Sequence, residues 1–270
     1  MKRSLLLFLI ILLFSGLLSS SNAQSFTMGG RDMALGQAVT ALADDKWAPF
    51  HNPAQMSSRN HASFFGVRYY GFSELTDMAV SSSYNSELGI FGVGMFTYGD
   101  DRLRESQYRV AYAEEFFNVR MGASVNLYHM SITGRYGSAL APTFDFGISV
   151  DVFDDVILAA RTSNITRSTI GTDEESLPAD LALGLSYHLM DRATLVTELY
   201  KDVDFDPSFR AGLEIELVDI LYLRGGITHD HPQTFTFGVG IEQDRWVANV
   251  AVEQHQQLGL SPGIDFSILW

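Results

Sequence analysis

After residue 60 the chain alternates apolar and polar residues with a period of two, segment after segment. That periodicity restricts it to β-strands with one apolar and one polar face. Phe209, Ala211, Leu213, Ile215 and Leu217 alternate with Ser208, Arg210, Gly212, Glu214 and Glu216; Phe235, Phe237, Val239 and Ile241 alternate with Thr234, Thr236, Gly238, Gly240 and Glu242. Upstream, Val119, Met121, Ala123, Val125 and Leu127 oppose Arg120, Gly122, Ser124, Asn126 and Tyr128. A helix would scatter each of these sets around its circumference. The pattern predicts about fourteen strands, near 62–71, 75–84, 87–98, 105–115, 117–129, 142–152, 155–164, 178–188, 192–201, 207–217, 219–229, 233–242, 245–254 and 261–270. Each is about ten residues, the length a tilted membrane-crossing strand requires.

Short turns near 85–86, 115–116, 153–154, 190–191, 218–219 and 243–244 alternate with generally longer connections, the longest at 131–141 and 165–177. That is the arrangement of an outer-membrane barrel, and an even strand count closes the sheet without an open edge. In the final segment Ile264, Phe266, Ile268 and Trp270 share one face while Asp265 and Ser267 lie on the other. This ending resembles the last strand of bacterial outer-membrane barrels. The resemblance implies that Phe266, Ile268 and Trp270 form the signal read by the barrel-insertion machinery, and closure requires 261–270 to pair with 62–71. At the other end, Lys2 and Arg3 precede an apolar run at 5–18, and Ser21-Asn22-Ala23 offers small residues at the −3 and −1 positions of a cleavage site. The expected division is a signal peptide at 1–23, a plug at 24–60 and a barrel at 61–270. The apolar run falls short of the ~20 residues of a spanning helix, and no second run follows.

A secreted β-sandwich would also alternate, with its apolar face as core and its charged face in water. Two features favour the membrane. The apolar positions are Phe, Leu, Val and Ile in nearly every strand, and Tyr84, Tyr187, Trp246 and Trp270 fall outward near strand ends, where interfacial girdles belong. Ser82 and Thr162 are the exceptions, polar residues expected to face lipid. The net charge of −14 argues against nucleic acid as a partner, and the absence of cysteine excludes disulfides, thiol catalysis and a lipid-anchored cysteine.

The polar face is expected to line a lumen carrying Arg68, Arg109, Arg120, Arg161, Arg210 and Arg224 beside Asp145, Asp180, Glu198, Glu214 and Asp265. Buried charges must pair, which favours a structural network over a conduit. Gly122, Gly147, Gly184, Gly212, Gly226, Gly238 and Gly240 share that face. They either leave room for something inside the barrel or relieve strain where the sheet bends.

Only 24–60 breaks the strand pattern. The string Gly29-Gly30-Arg31-Asp32-Met33-Ala34-Leu35-Gly36-Gln37-Ala38-Val39-Thr40-Ala41-Leu42-Ala43-Asp44-Asp45, followed by Trp47-Ala48-Pro49-Phe50-His51-Asn52-Pro53-Ala54, resembles the N-terminal segment of the FadL-like barrels and the related PorV/PorQ group. The Ala43-Asp44-Asp45 run and the Asn52-Pro53-Ala54 triplet are its most specific pieces. Where the family usually continues with Gly-Leu, this chain has Gln55-Met56. The resemblance implies an all-β fold, a closed antiparallel transmembrane barrel of about fourteen strands with a short helical plug. It makes Gly30, Arg31, Gly36, Ala43, Asp44, Asp45, Asn52, Pro53 and Ala54 the plug or hatch motif.

No cofactor is expected, and nothing marks an enzyme. The histidines share no pattern with a nucleophile motif. His229-Asp230-His231 reads as a solvated pair, and Asp173-Glu174-Glu175 matches no calcium loop. Two classes of function remain, both with the lipid bilayer as partner. The FadL-like resemblance implies passage of a small hydrophobic substrate; the PorV/PorQ resemblance implies a non-transporting component that binds secretion-system proteins.

Overall fold

In the computed structural model, which describes residues 28–133, 137–172, 174–229 and 233–270, alternation becomes a ring. The strands are β1 (His61–Arg68), β2 (Thr76–Ser86), β3 (Gly89–Gly99), β4 (Leu103–Phe116), β5 (Val119–Ile132), β6 (Gly137–Phe153), β7 (Val156–Ser163), β8 (Thr169–Ile170), β9 (Glu175–Ser176), β10 (Asp180–Met190), β11 (Ala193–Asp202), β12 (Ser208–Val218), β13 (Leu221–Thr228), β14 (Thr234–Gln243), β15 (Trp246–His255) and β16 (Gly259–Leu269). All but β8 and β9 join one closed antiparallel barrel of fourteen strands. Closure pairs the last strand with the first, from His61↔Leu269 to Val67↔Gly263. The sequence-based segments match these strands to within a few residues. The signal-peptide segment and Asp173, Asp230 and His231 lie outside the described residues.

The wall is inverted relative to a water-soluble domain. Ile264, Phe266 and Ile268 stand 54%, 45% and 53% exposed on the outside, whereas Asp265 between them is buried. Phe64, Val80, Val93, Val110, Val125, Leu183, Leu213, Phe237 and Val250 are likewise exposed, while Arg210, Glu198, Asp145 and Asn126 are buried within. An apolar belt around the whole circumference has no stable contact with water, and its partner is the acyl chain. This excludes the sandwich, whose apolar face would be the buried one.

At the short-turn end, Tyr84, Phe91, Tyr112, Phe116, Phe153, Trp246 and Trp270 are exposed and form an aromatic girdle. Trp246 stacks on Phe266 at 6.2 Å between ring centroids, and Phe91 lies 5.2 Å from Tyr112. The Ser82 hydroxyl donates to the His61 carbonyl at 2.7 Å, which satisfies it on a face that offers no water.

Three expectations need correction. Arg68 does not face the lumen. It is exposed at the outer end of β1, on the same face as Phe64, because the inward positions of that strand are His61, Ser63, Phe65 and Val67. The 131–141 connection is mostly strand, since β5 and β6 stay paired as far as Ile132↔Gly137. The 165–177 connection contains the β8–β9 hairpin, pairing Thr169↔Ser176 and Ile170↔Glu175.

A lipid-facing surface is distinguishable from a wet one by charge. Val239→Arg, at an outward site midway along β14, should cost about 2–4 kcal/mol of unfolding free energy in liposomes, whereas Leu217→Arg, near a strand end, should cost about 0–1 kcal/mol. Equal, negligible costs in denaturant titrations would contradict the membrane assignment.

Candidate functional site

Residues 28–57 lie inside the ring, buried for the most part, with Asp44 exposed. The segment begins with a single helical turn, α1 (Gly30–Ala34), and includes a short 3-10 turn over Pro53–Gln55. Between them the chain follows the inner wall, and the inward glycines mark its course. A Cβ on Gly238 would sit 2.5 Å from the Ala34 Cβ; on Gly212, 2.7 Å from the Leu35 Cα; on Gly184, 2.8 Å from the Ala41 nitrogen; on Gly122, 2.5 Å from the Pro53 carbonyl carbon. Gly226 abuts Gly36, and Gly147 abuts the Asn52 side chain. Gly240 leaves its room to the Arg224 and Asn249 side chains. Of the two readings of these glycines, room for an occupant is the one realised. Gly92, Gly94 and Gly263, which face Met56, Phe50 and Met33, belong to the same set.

Plug and wall then exchange hydrogen bonds. Arg31 grips Glu214 through two nitrogens at 2.9 and 2.8 Å, and Arg224 donates to the same carboxylate at 2.5 Å. Arg224 donates onward to Asn249 at 2.7 Å, Asn249 to Asp265 at 2.7 Å, and Asp265 accepts the Gly30 amide at 2.5 Å. The circuit leaves the plug at residue 31, crosses β12, β13, β15 and β16, and returns at residue 30. Burial opposes the charge on Arg31, yet the Glu214 carboxylate against it holds its pKa above the ordinary value.

Further around, Glu198 accepts the Val39 and Thr40 amides at 3.0 and 2.9 Å while pairing with Arg210. The Arg210 guanidinium lies 3.9 Å from the centroid of the Tyr200 ring. Arg161 pairs with Asp180 at 2.7 Å and reaches the Thr40 hydroxyl at 3.2 Å. Arg109 pairs with Asp145 at 2.7 Å and donates to the Pro49 and Phe50 carbonyls. Arg120, nearer the rim, pairs with Asp151.

The motif residues of the plug serve each other as well as the wall. Asn52 donates to the Thr40 carbonyl at 2.7 Å and accepts the Ala54 amide at 3.1 Å; the Gly36 amide donates to the Thr236 hydroxyl and its carbonyl accepts from Thr228; the Ala43 carbonyl accepts from Arg31. Asp44 is exposed, with φ of 52°. Asp45 accepts the Trp47 amide at 2.7 Å and His51 Nδ1 at 3.0 Å. Asp32 lies beside this pair, 3.3 Å from His51 Nδ1. Burial, and next the charge of Asp45, raise the Asp32 carboxyl well above its ordinary range.

The lumen is two-sided. Opposite the ionic wall, Phe65, Val67, Ala79 and Phe96 of β1 to β3 point inward and pack with Met28, Met33, Trp47 and Phe50 of the plug, with Tyr69 and Tyr98 toward the outer rim. Trp47 meets Phe65 edge-on at 5.8 Å. Above the ionic side, Ile170 and Leu177 of the β8–β9 loop pack on Ala141, Tyr128 and Met130. Asn164 anchors that loop, donating its amide to Asp145 at 2.8 Å and its side chain to the Leu177 carbonyl. Below, a pocket of about 220 Å³ opens between plug and wall, lined by Arg31, Asp44, Lys46, His188, Glu214, Arg224 and Glu242 among others, and it is polar.

No family model matches the chain, and no curated protein does. Solved structures do. The Pseudomonas putida toluene transporter TodX aligns with a TM-score of 0.65 at 12% identity, covering 93% of this chain and 98% of that one. The Ralstonia pickettii toluene transporter TbuX gives 0.65 at 14% identity over 90% and 97%, and a Pseudomonas aeruginosa FadL homologue gives 0.57 at 12% over 91% and 98%. The chain has the fold of the FadL-type channels. The PorV/PorQ half of the resemblance gains no support from these structures.

Two substitutions test the seat of the plug. Gly212→Leu places a side chain where the Leu35 backbone lies, so the plug must move; one of the three tryptophans, Trp47, should become accessible to acrylamide. Glu198→Ala leaves Arg210 buried without its carboxylate and should destabilise the protein by about 3–5 kcal/mol in denaturant titrations.

Proposed function

We propose that the protein passes small hydrophobic molecules across the bacterial outer membrane and that residues 24–60 act as a hatch within a barrel formed by 61–270, residues 1–23 being removed on export. The two-sided lumen carries this reading. A wall that needed only to seat a polar plug has ion pairs enough on β4, β6, β7 and β10 to β13, yet β1 to β3 turn Phe65, Val67 and Phe96 inward against Met33, Trp47 and Phe50. These side chains form an apolar patch, beside the inward Ser63, Asp77 and Ser81, of the kind that receives a molecule poor in hydrogen-bonding groups. The plug's side chains fill it, so passage requires the plug to shift. Likeness in fold to toluene transporters over nine-tenths of the chain supports the same reading.

A filled lumen also suits a barrel that transports nothing and serves a secretion or surface apparatus. Uptake of a small aromatic tracer by liposomes holding the full chain separates the two. Since the chain has no cysteine, an Asp44→Cys/His188→Cys variant puts two exposed thiols on the plug and wall sides of one pocket, where a short bis-maleimide can tether them. Uptake should exceed that of protein-free liposomes several-fold and fall to background once the tether forms. Background uptake before tethering would overturn the proposal, and full uptake after it would remove the hatch.

A further inference from the structure

We infer that Asp32, Asp45 and His51 form a site for one divalent transition-metal ion of the zinc class, which holds the two halves of the plug together. The three side chains are all buried, and their candidate ligand atoms lie within 4.8 Å of one another. His51 Nδ1 stands 3.0 Å from Asp45 Oδ2 and 3.3 Å from Asp32 Oδ2. Ligands held at about 2.0–2.2 Å from a common ion are separated by roughly 3.0–3.5 Å, so these spacings already suit a shared centre.

The second observation is Asp32 itself. It is 1% exposed, and neither of its oxygens accepts a hydrogen bond. Each of the other buried carboxylates among the described residues whose pairing is given above has a donor: Asp145 from Arg109, Glu198 from Arg210, Glu214 from two arginines, Asp265 from Gly30 and Asn249. Both arginines near Asp32, namely Arg31 and Arg224, are committed to Glu214. His51 Nδ1 lies nearer Asp45 than Asp32, at 3.0 against 3.3 Å. A buried carboxyl group with no hydrogen-bond partner is costly, and a dication supplies the missing partner. The imidazole selects zinc or its neighbours over calcium and magnesium, which prefer all-oxygen shells. Asp32 belongs to α1, and Asp45 and His51 flank the turn carrying Trp47, so the ion would fasten the start of the plug to its middle.

The test refolds the full chain in detergent after chelation, adds Zn²⁺, and measures retained metal by mass spectrometry; heat-modifiable migration verifies the barrel. One equivalent per chain is expected, with binding at least about tenfold weaker in Asp32→Asn and His51→Phe and unchanged in the exposed variant Asp219→Asn. Co²⁺ in the unmodified protein should give the visible absorption of imidazole and carboxylate ligation, a readout that stands if a variant fails to fold. No retained zinc in the unmodified chain, or retention indifferent to Asp32→Asn in a folded barrel, would overturn the site. Neither result depends on whether the barrel transports.

Discussion

A sheet in lipid has no water to satisfy a free edge, so β1 must close on β16, and from that closure the remaining structure follows. Closing the ring seals the polar face of every strand inside. Charges that would be harmless on a wet surface are then buried, and each needs a partner within reach. The wall meets part of this demand through cross-strand pairs such as Arg210 with Glu198. The plug meets another part, bringing Arg31 to Glu214 and the Val39 and Thr40 amides to Glu198. In return the wall satisfies backbone groups of the plug that have no helix or sheet of their own. Neither component is complete in its polar accounting without the other.

The inside of the barrel consequently has two characters. On the side of β6, β7 and β10 to β13 the interface is held by directional bonds, which fix position. On the side of β1 to β3 packing of Phe65, Val67 and Phe96 on plug residues predominates, beside a hydrogen-bond contact of His61 with the Lys46 carbonyl at 3.0 Å. The two flanks of the plug are therefore held by different means, direction on one and contact area on the other.

Much of this was legible in the sequence. Period-two alternation located fourteen strands, the closing pair and the orientation of nearly every wall residue, because one face meets lipid and tolerates little variation. Arg68 escaped it because the outer half of β1 is apolar on both faces: Phe65 and Val67 serve the plug while Phe64 serves the membrane, so alternation loses its phase there. The β8–β9 hairpin is too short for periodicity to register. The inward glycines were visible, but a missing side chain signals either bending or contact, and only the path of the plug distinguishes them. Asp32 and His51 were read as letters in a motif string; their approach depends on a turn of irregular backbone, for which sequence spacing has no rule.

The glycines that admit the plug also thin the wall. Gly212 pairs directly with Gly226, and Gly122 with Gly147, so at each place two adjacent strands present bare backbone to the plug. Beside the first pair, Gly225 leaves a gap on the outer face as well, opposite Leu213. Strands lacking side chains to brace them are the most pliable part of a sheet. The plug is therefore wedged where the barrel bends most readily. At Gly122, Gly212 and Gly226 the wall meets the plug with backbone alone, so the distance between them is set by main chain on both sides and no wall side chain can turn aside to relax it.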